Sequence, residues 1–256
     1  MSADHATSRL ELREIWLALP DSPRMRASAA GRGGGQRLLV PPLSLCVAPG
    51  EVVTLMGPSG CGKSSLLAYL CGTLDPAIRA GGRVLLDGVD LTDLPPERRR
   101  LGILFQDDLL FPHLSVGENL AFGLRPGGLD RAARRARVET ALAGAGLGGF
   151  ADRDPATLSG GQRARVALLR TLLSEPRALL LDEPFSKLDA TLRATFRRAV
   201  FDHARARALP TLLVTHDPAD AAAAGGAVIA LETTDSGDAA PDAAGTRPPR
   251  RGVMRA

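Results

Sequence analysis

The sequence predicts an α/β fold with a parallel sheet between helices, an antiparallel β edge layer and an inserted helical subdomain. Three observations predict it. Short aliphatic or β-branched runs alternate with helical segments along most of the 256 residues. A glycine-rich loop joins the strand Glu51–Met56 to a helix over 64–70. Between Asp107 and Phe150, helical stripes broken by glycine interrupt this alternation.

The first part of the chain predicts the antiparallel layer. Leu10–Leu19 and Leu43–Val47 alternate like strands, and the Pro- and Gly-rich stretch 20–37 between them is expected to be a loop. The other core elements are expected in this order: strand and turn GRVLLDGVDLTDLP (82–95), strand LGILFQDD (101–108), strand ALLLD (178–182), helix 190–207, strand TLLVTH (211–216), helix PADAAAA (218–224) and strand AVIAL (227–231).

These elements define one predicted domain. It is expected to span 10–232, with the helical insertion at about 107–157. A flexible segment 1–9 precedes it, and a disordered basic tail 233–256, rich in Ala, Gly, Pro and Asp, follows it. No apolar stretch reaches the roughly 18 residues of a membrane span, so the chain is expected in the cytosol.

The composition limits the partners that are expected. The formal charge is +4, but the arginines are concentrated on helical faces and in the last residues, which indicates solvated surface and no specific nucleic acid. Three cysteines without metal-ligand spacing predict reduced thiols. Of the 32 Lys and Arg residues, only Lys63 and Lys187 are lysines. The lysine within the glycine-rich loop therefore indicates a position that requires the compact ammonium group.

The glycine-rich loop GPSGCGKS has the G-x-x-x-x-G-K-[ST] form of a P-loop. Its backbone N–H groups can point at phosphate oxygens, Lys63 can reach the β- and γ-phosphates, and the Ser64 hydroxyl can ligate Mg²⁺. The sequence therefore predicts a P-loop NTPase core with ATP and Mg²⁺ as cofactors; a surface turn is the alternative. The residues expected to form the nucleotide cradle are Gly57, Pro58, Ser59, Gly60, Cys61, Gly62, Lys63, Ser64 and Ser65.

The segment LSGGQ, residues 158–162, predicts a second anion site. Ser159 can cap the helix that follows, and Gly160 and Gly161 leave its first backbone N–H groups unblocked. An ordinary capped helix is the alternative, but the P-loop earlier in the chain favours a phosphate site.

Two carboxylates are expected at the carboxyl edge of the parallel sheet, where such sheets bind ligands. Asp182 ends a buried strand and is expected beside the Mg²⁺ held by Ser64. Glu183 is expected to orient and deprotonate the water that attacks the γ-phosphate. His216 ends another strand and can contact the γ-phosphate or orient Glu183 and its water. A helix cap at the acid pair and a structural histidine are the alternatives.

Taken in order, these motifs resemble the ATP-binding subunit of an ABC transporter over roughly Leu10–Leu231. The resemblance also matches Gln106 to the Q-loop, SKLD through Asp189 to the D-loop, and His216 to the switch histidine. It implies roles in catalysis and Mg²⁺ binding for Gln106 and in nucleotide binding for Asp189. It further implies that two copies close head to tail. The residues implied to complete the partner's ATP site are Ser159, Gly160, Gly161 and Gln162.

The residues within and around these motifs imply an importer. FQDDLLFPHLSVGENLAFGLR and DEPFSKLD resemble subunits that power bacterial uptake of thiamine, ferric iron, polyamines, sulfate or molybdate, with a thiamine-type group most similar. The implied assembly is a homodimer at the cytoplasmic face of the inner membrane, bound to membrane permease subunits and served indirectly by a periplasmic or lipid-anchored solute-binding protein. Leu110, Phe111 and Leu114 are expected to be exposed and to receive a permease helix; the alternative is that they only pack the core of the insertion.

Two other functions share this chemistry or this fold. One is an ATPase of an export or lipoprotein-release ABC system, and the other is a soluble ABC ATPase that acts on nucleic acid or ribosomes. The chain also departs from the family pattern, because the stretch 20–37 lacks the aromatic residue that stacks on adenine. Trp16 is the nearest candidate, although an aromatic residue in a first strand can belong to the core. Arg or aliphatic side chains are therefore expected to contact the base.

Overall fold

An antiparallel sheet forms one layer of the computed structural model, which describes residues 8–19, 37–125 and 127–231. The predicted tail 233–256, most of the predicted segment 1–9 and most of the predicted loop 20–37 lie outside these residues. The strands of this sheet are β1 Leu10–Leu19, β2 Arg37–Val47, β4 Arg79–Leu86 and β5 Val89–Asp90. Their order is β2-β1-β4-β5.

Strand β2 begins at Arg37, six residues before the strand predicted from Leu43. The prediction was wrong because Pro41 and Pro42 disfavour a strand when only the local sequence is considered. Here β2 is the outer strand of its sheet, and the two prolines fall between the paired positions Val40 and Leu43, where the register with β1 shifts. A residue without an N–H is tolerated at such an edge.

The second layer is a parallel sheet of five short strands in the described chain. They are β3 Val52–Met56, β6 Leu101–Leu104, β7 Ala178–Asp182, β8 Thr211–Val214 and β9 Val228–Ala230. Their order is β6-β7-β8-β3-β9, and every neighbouring pair is parallel. Strands β7 and β8 are buried throughout, as expected when helices cover both faces of a parallel sheet.

Seven α-helices lie within the described residues. They are α1 Lys63–Cys71, α2 Pro96–Arg99, α3 Val116–Gly123, α4 Arg131–Gly144, α5 Gly160–Leu173, α6 Ala190–Ala206 and α7 Pro218–Ala224. A 3₁₀ turn, Pro155–Thr157, precedes α5. Together with the two sheets, these helices confirm the predicted α/β fold class. None of the described helices is long and apolar enough to cross a membrane.

Helix α1 packs between the two sheets. Its Leu66 and Leu70 belong to one buried cluster with Leu12 of the antiparallel sheet and Leu180 and Val214 of the parallel sheet. Burial of such side chains is the main term that holds the layers together. The start of α1 is thereby fixed against the end of β3, where the glycine-rich loop lies.

Helices α3 and α4 lie within the range predicted as an insertion and form a separate small core. Val116 and Leu120 of α3 are buried with Leu142 of α4 and Val166 of α5. Helix α5 therefore links the two parts, because its Ala167 and Leu168 pack into the cluster on the opposite face of the parallel sheet.

Candidate active site

The carboxyl ends of the parallel strands open onto one cavity of about 360 Å³. Strand β3 leads into the glycine-rich loop, β6 into Gln106, β7 into Glu183 and β8 into His216. Ligands of parallel sheets bind at this edge. The residues that line the cavity are Leu39, Ser59, Gly60, Gly62, Lys63, Ser64, Ser65, Gln106, Asp182, Glu183 and His216.

The glycine-rich loop is too tightly folded to accept side chains at two of its glycines. A Cβ on Gly57 would lie 2.4 Å from the Leu231 carbonyl oxygen, and one on Gly62 would lie 2.7 Å from the Leu39 side chain. Gly62 also has a φ of 91°, a region that favours glycine. Backbone N–H groups are thus left uncovered at the N-terminus of α1, as a phosphate site requires.

Lys63 is buried inside this loop. Its Nζ donates hydrogen bonds of 2.8 Å to the carbonyl oxygens of Gly57 and Pro58, and lies 3.7 Å from the Sγ of Cys61. Gly57, Pro58 and Cys61 do not line the cavity but hold the ammonium group in the loop that does. Its hydrogen-bond acceptors are neutral carbonyl groups, so the oxygens of an anionic ligand can take their place.

Asp182 is a buried carboxylate at the end of β7, with 4% of its surface exposed. Burial raises its pKa above the ordinary value; a hydrogen bond from Ser64 lowers it, the neighbouring charge of Glu183 raises it further, and Lys63 lowers it. Ser64, Gln106 and Asp182 line the same cavity and offer hydroxyl, amide and carboxylate oxygens. Oxygen donors of this kind fit Mg²⁺.

Glu183 and His216 are hydrogen-bonded, with 2.9 Å between Oε1 of Glu183 and Nδ1 of His216. Glu183 has a φ of 46°, which is uncommon for a residue with a side chain. Its N–H donates to the Val214 carbonyl, and its own carbonyl accepts from Ser186, so the surrounding backbone fixes this conformation. Backbone strain of this kind is concentrated at functional sites. Side-chain exposure is 20% for Glu183 and 66% for His216.

The predicted signature residues lie away from this cavity. Ser159 caps α5: its Oγ accepts a hydrogen bond from the Gln162 N–H, and the Gln162 Oε1 accepts one from the Ser159 N–H. Gly160 and Gly161 are the first residues of α5. Asp189 likewise caps α6, where it accepts a hydrogen bond from the Leu192 N–H. None of these five residues lines the cavity of its own chain.

Sequence reasoning missed one cavity residue. Leu39 lines the cavity from β2, and it was missed because that part of β2 was not predicted as a strand. Trp16 does not line the cavity. It packs across the antiparallel sheet, where a Cβ on Gly81 would lie 2.5 Å from its Nε1. Trp16 is partly buried there, so its contact is with the neighbouring strand β4 and not with the cavity.

Known proteins resemble this chain in sequence. Residues 40–186 match the family described as ABC transporter. The protein named uncharacterized ABC transporter ATP-binding protein YnjD, from Escherichia coli (strain K12), is 53% identical over 178 residues, which cover 70% of this chain and 82% of that protein. The Fe(3+) ions import ATP-binding protein FbpC of Brucella abortus (strain 2308) is 43% identical over 198 residues, which cover 77% of this chain. The match spans 55% of that relative, about half its length.

Solved structures of the ATP-binding cassette MJ0796 share the fold. A dimeric post-hydrolysis state of that cassette bound to ADP and Pi has a TM-score of 0.72 and 28% identity, and the match covers 88% of this chain and 97% of the other. A second structure, described as dimeric MJ0796, a bacterial ABC transporter cassette, has a TM-score of 0.73 and 28% identity over 88% of this chain and 94% of that one.

We predict that Asp182→Asn stabilises the ligand-free fold at neutral pH. The pKa of Asp182 is raised from 3.8, so the folded chain holds a proton at pH values where the unfolded chain has released it. The fold therefore loses stability as the pH rises from 3.8 toward the higher folded-state pKa, and this penalty is present at neutral pH. Asparagine removes this charge.

Calorimetry across pH checks the prediction. The Tm of the variant should exceed that of the parent chain at pH 7, and the difference should shrink on acidification. Asp93→Asn, which removes an exposed carboxylate, is the control and should not show this pattern. A variant that is less stable than the parent at pH 7 would show that ionised Asp182 is favourable in the fold.

Proposed function

The chain belongs to the ABC transporter family of ATP-binding proteins, and we propose that it is the subunit whose ATP hydrolysis powers solute uptake through a partner membrane permease. Its ATPase class follows from the family. One observation supports the proposed chemistry of the site: Lys63, Ser64, Asp182, Glu183 and His216 all line one cavity at the carboxyl edge of the parallel sheet. The thiamine-type subgroup stays a prediction, while the FbpC relatives are named for Fe(3+) import.

The P-loop would bind the phosphates of ATP. Backbone N–H groups at the start of α1 donate to them, and the Lys63 ammonium exchanges its carbonyl acceptors for β- and γ-phosphate oxygens. Ser64, Asp182 and Gln106 would hold Mg²⁺, which neutralises charge on the phosphates when bound. The described residues contain no group of three or more Asp, Glu, His or Cys that could hold a metal. The remaining ligands would therefore come from phosphates and water.

Glu183 acts as the general base in this proposal. Its carboxylate faces the cavity and accepts the proton of the attacking water as the γ-phosphate is transferred. The hydrogen bond to His216 fixes the direction of the Glu183 side chain. The exposed His216 ring also remains close enough to the cavity to contact the γ-phosphate.

Two copies of the chain would form the working unit. The capped N-terminus of α5 presents Ser159, Gly160 and Gly161 outside the cavity of its own chain. In a head-to-tail homodimer, these residues, together with Gln162 and Asp189, would complete the ATP site of the other copy. The dimeric MJ0796 cassettes support this arrangement.

The permease would bind beside the inserted helices, at the cytoplasmic face of the inner membrane, so that the chain is a peripheral subunit. The expectation that Leu110, Phe111 and Leu114 are the exposed residues was wrong: all three are partly buried. Leu109 and Phe122 are exposed instead, at 59% and 68%. The buried side chain of Asn119 hydrogen-bonds the backbone from residue 111 to 115 and closes that loop. Phe111 and Leu114 are therefore partly buried.

The exposed Phe122 belongs to α3, the helix that follows this closed loop. It packs edge-on against Phe111, with ring centroids 4.7 Å apart, and the Arg170 guanidinium lies over the other ring of the pair, 5.2 Å from the Phe111 centroid. The aromatic pair thus has internal contacts while the Phe122 ring stays largely in solvent. Exposed aromatic side chains are typical of protein interfaces. A periplasmic or lipid-anchored solute-binding protein would act on the opposite side of the membrane, without touching this chain.

We expect Glu183→Gln to retain ATP binding and to lower ATP turnover by roughly 10²- to 10⁴-fold, because only the base is removed. The variant should accumulate as an ATP-bound dimer. Steady-state phosphate release and size-exclusion chromatography with ATP and Mg²⁺ measure the two effects. Glu97→Gln, at an exposed carboxylate on α2, is the matched control. Hydrolysis by Glu183→Gln at the parent rate would contradict the assignment of the base.

We expect the double variant Leu109→Ser with Phe122→Ser to keep the basal ATPase rate within about twofold but to lose attachment to the permease, since both side chains are exposed and neither lines the cavity. Co-purification of the tagged chain with permease from detergent-solubilised membranes measures this attachment. Val89→Ser removes an apolar side chain that is 57% exposed on the antiparallel sheet and should have no effect. Attachment that survives the double variant would place the docking surface elsewhere.

A further inference from the structure

One carboxylate outside the cavity contacts two cations from two distant parts of the chain. Oδ2 of Asp108 lies 3.4 Å from Nε of Arg163, and its Oδ1 lies 3.7 Å from Nζ of Lys187. The Asp108 side chain is only 12% exposed, whereas Arg163 and Lys187 are 39% and 36% exposed. Each oxygen therefore has its own cationic partner in a partly desolvated position.

The three residues belong to three different motif segments. Asp108 follows Gln106, which lines the cavity, by two positions. Arg163 lies in α5, one position after Gln162 of the signature segment. Lys187 stands two positions before Asp189, the cap of α6. The Asp108 carboxylate thus connects a segment that contacts the chain's own nucleotide site with two segments that would face the partner's ATP.

Backbone contacts around Asp108 limit other movements. Arg170 donates a 3.0 Å hydrogen bond to the Leu109 carbonyl and approaches the Asp108 carbonyl at 3.5 Å. A Cβ on Gly161 would lie 3.2 Å from the Leu188 side chain and 3.3 Å from the Lys187 carbonyl oxygen. Helix α5 and the backbone at 187–188 therefore already touch. A shift of Asp108 would pull on both through its two ion pairs.

Charge and side-chain type agree with a specific role for Lys187. It is one of only two lysines in the chain, and the other is Lys63 of the P-loop. Its ammonium group also lies 3.8 Å from the exposed carboxylate of Asp107, which can supply only a screened, secondary attraction. Ion pairs that are partly buried and shared within a network are worth more than isolated surface pairs.

We propose that Asp108 is a positioning residue that couples the segment of Gln106 to the signature helix through Arg163 and to the segment preceding Asp189 through Lys187. When Gln106 responds to nucleotide, the carboxylate moves both segments as one unit. Asp108 therefore acts on the turnover rate of the dimer and leaves ATP affinity of its own cavity unchanged. This inference rests on the proposed ATPase function and its composite dimer site.

Three charge-removing changes test the coupling in the full chain: Asp108→Asn, Lys187→Met and both together. Each single change should lower kcat by about threefold to thirtyfold, which lies within the range of coupling expected between contacting residues. The double variant should be no slower than the slower single variant, because both changes break the same contact. The dissociation constant for ATP, measured with Mg²⁺ omitted to stop hydrolysis, should stay within about twofold.

A conservative variant and an exposed ion pair provide the controls. Lys187→Arg keeps the charge and should retain more of kcat than Lys187→Met does. Arg135→Met breaks a pair with Asp152, 3.7 Å apart with side chains 70% and 90% exposed, and should leave kcat unchanged. If Asp108→Asn fails to fold, as judged by its calorimetric transition, the Lys187→Met and Lys187→Arg pair decides the question.

Two results would overturn the proposal. The first is a kcat equal to that of the parent chain for Lys187→Met or Asp108→Asn, while the parent chain hydrolyses ATP. This result would contradict the coupling but not the proposed function. The second is a loss of ATP affinity equal to the loss of kcat, which would assign Asp108 to the shape of its own cavity. A parent chain that does not hydrolyse ATP would remove the proposed function and this inference together.

Discussion

The tight turn between β3 and α1 is the constraint on which the rest of the site depends. The turn encloses the Lys63 ammonium within its own carbonyls and leaves no room for a Cβ at Gly57. Because α1 packs between both sheets, the turn cannot relax without disturbing the largest buried cluster of the described chain. The phosphate site is therefore formed in advance, and little conformational entropy remains to be lost when an anion binds.

The carboxyl edge of the parallel sheet also places two neighbouring carboxylates, Asp182 and Glu183, in different environments. Asp182 is buried, and burial raises its pKa. Glu183 is the next residue; it has a positive φ, and its carboxylate hydrogen-bonds His216 and is partly exposed to solvent. Neighbouring carboxylates in different environments can take different roles, one beside a cation and the other as a base. The signature residues on α5 stay outside this cavity, as the proposed site shared between two copies requires.

Local chemistry explains what could be predicted from sequence. The spacing of Gly57, Gly62 and Lys63 specifies a turn, and acidic or imidazole groups at strand ends specify the sheet edge. That Lys63 meets these groups in one cavity was therefore predictable. The start of β2 was not, since pairing with β1 outweighs two prolines only in the folded sheet. Contacts between residues far apart in the sequence could not be predicted either. Asp108 and Arg163 are 55 residues apart, and no pattern in either segment indicates that they are in contact.

The exposure of individual residues in the inserted segment could not be predicted from the sequence either. Its apolar residues were visible in the sequence, but which of them face solvent depends on Asn119, whose buried amide closes the loop, and on Arg170, which covers the Phe111 ring. Both are polar side chains, and Arg170 acts on a ring 59 positions earlier in the chain. Hydrophobic pattern alone cannot separate Leu109 and Phe122 from their partly buried neighbours.

Sedimentation velocity with ATP and Mg²⁺ on the double variant Glu183→Gln with Gly160→Asp tests the composite site most directly. A Cβ at Gly160 would lie no closer than 3.9 Å to another atom of the described chain, the nearest being in the Arg163 side chain, so the fold should tolerate the added carboxylate. The account predicts a monomer that still binds ATP, because the charge repels only the phosphates held by another copy. An ATP-dependent dimer that persists, or a monomer that no longer binds ATP, would contradict it.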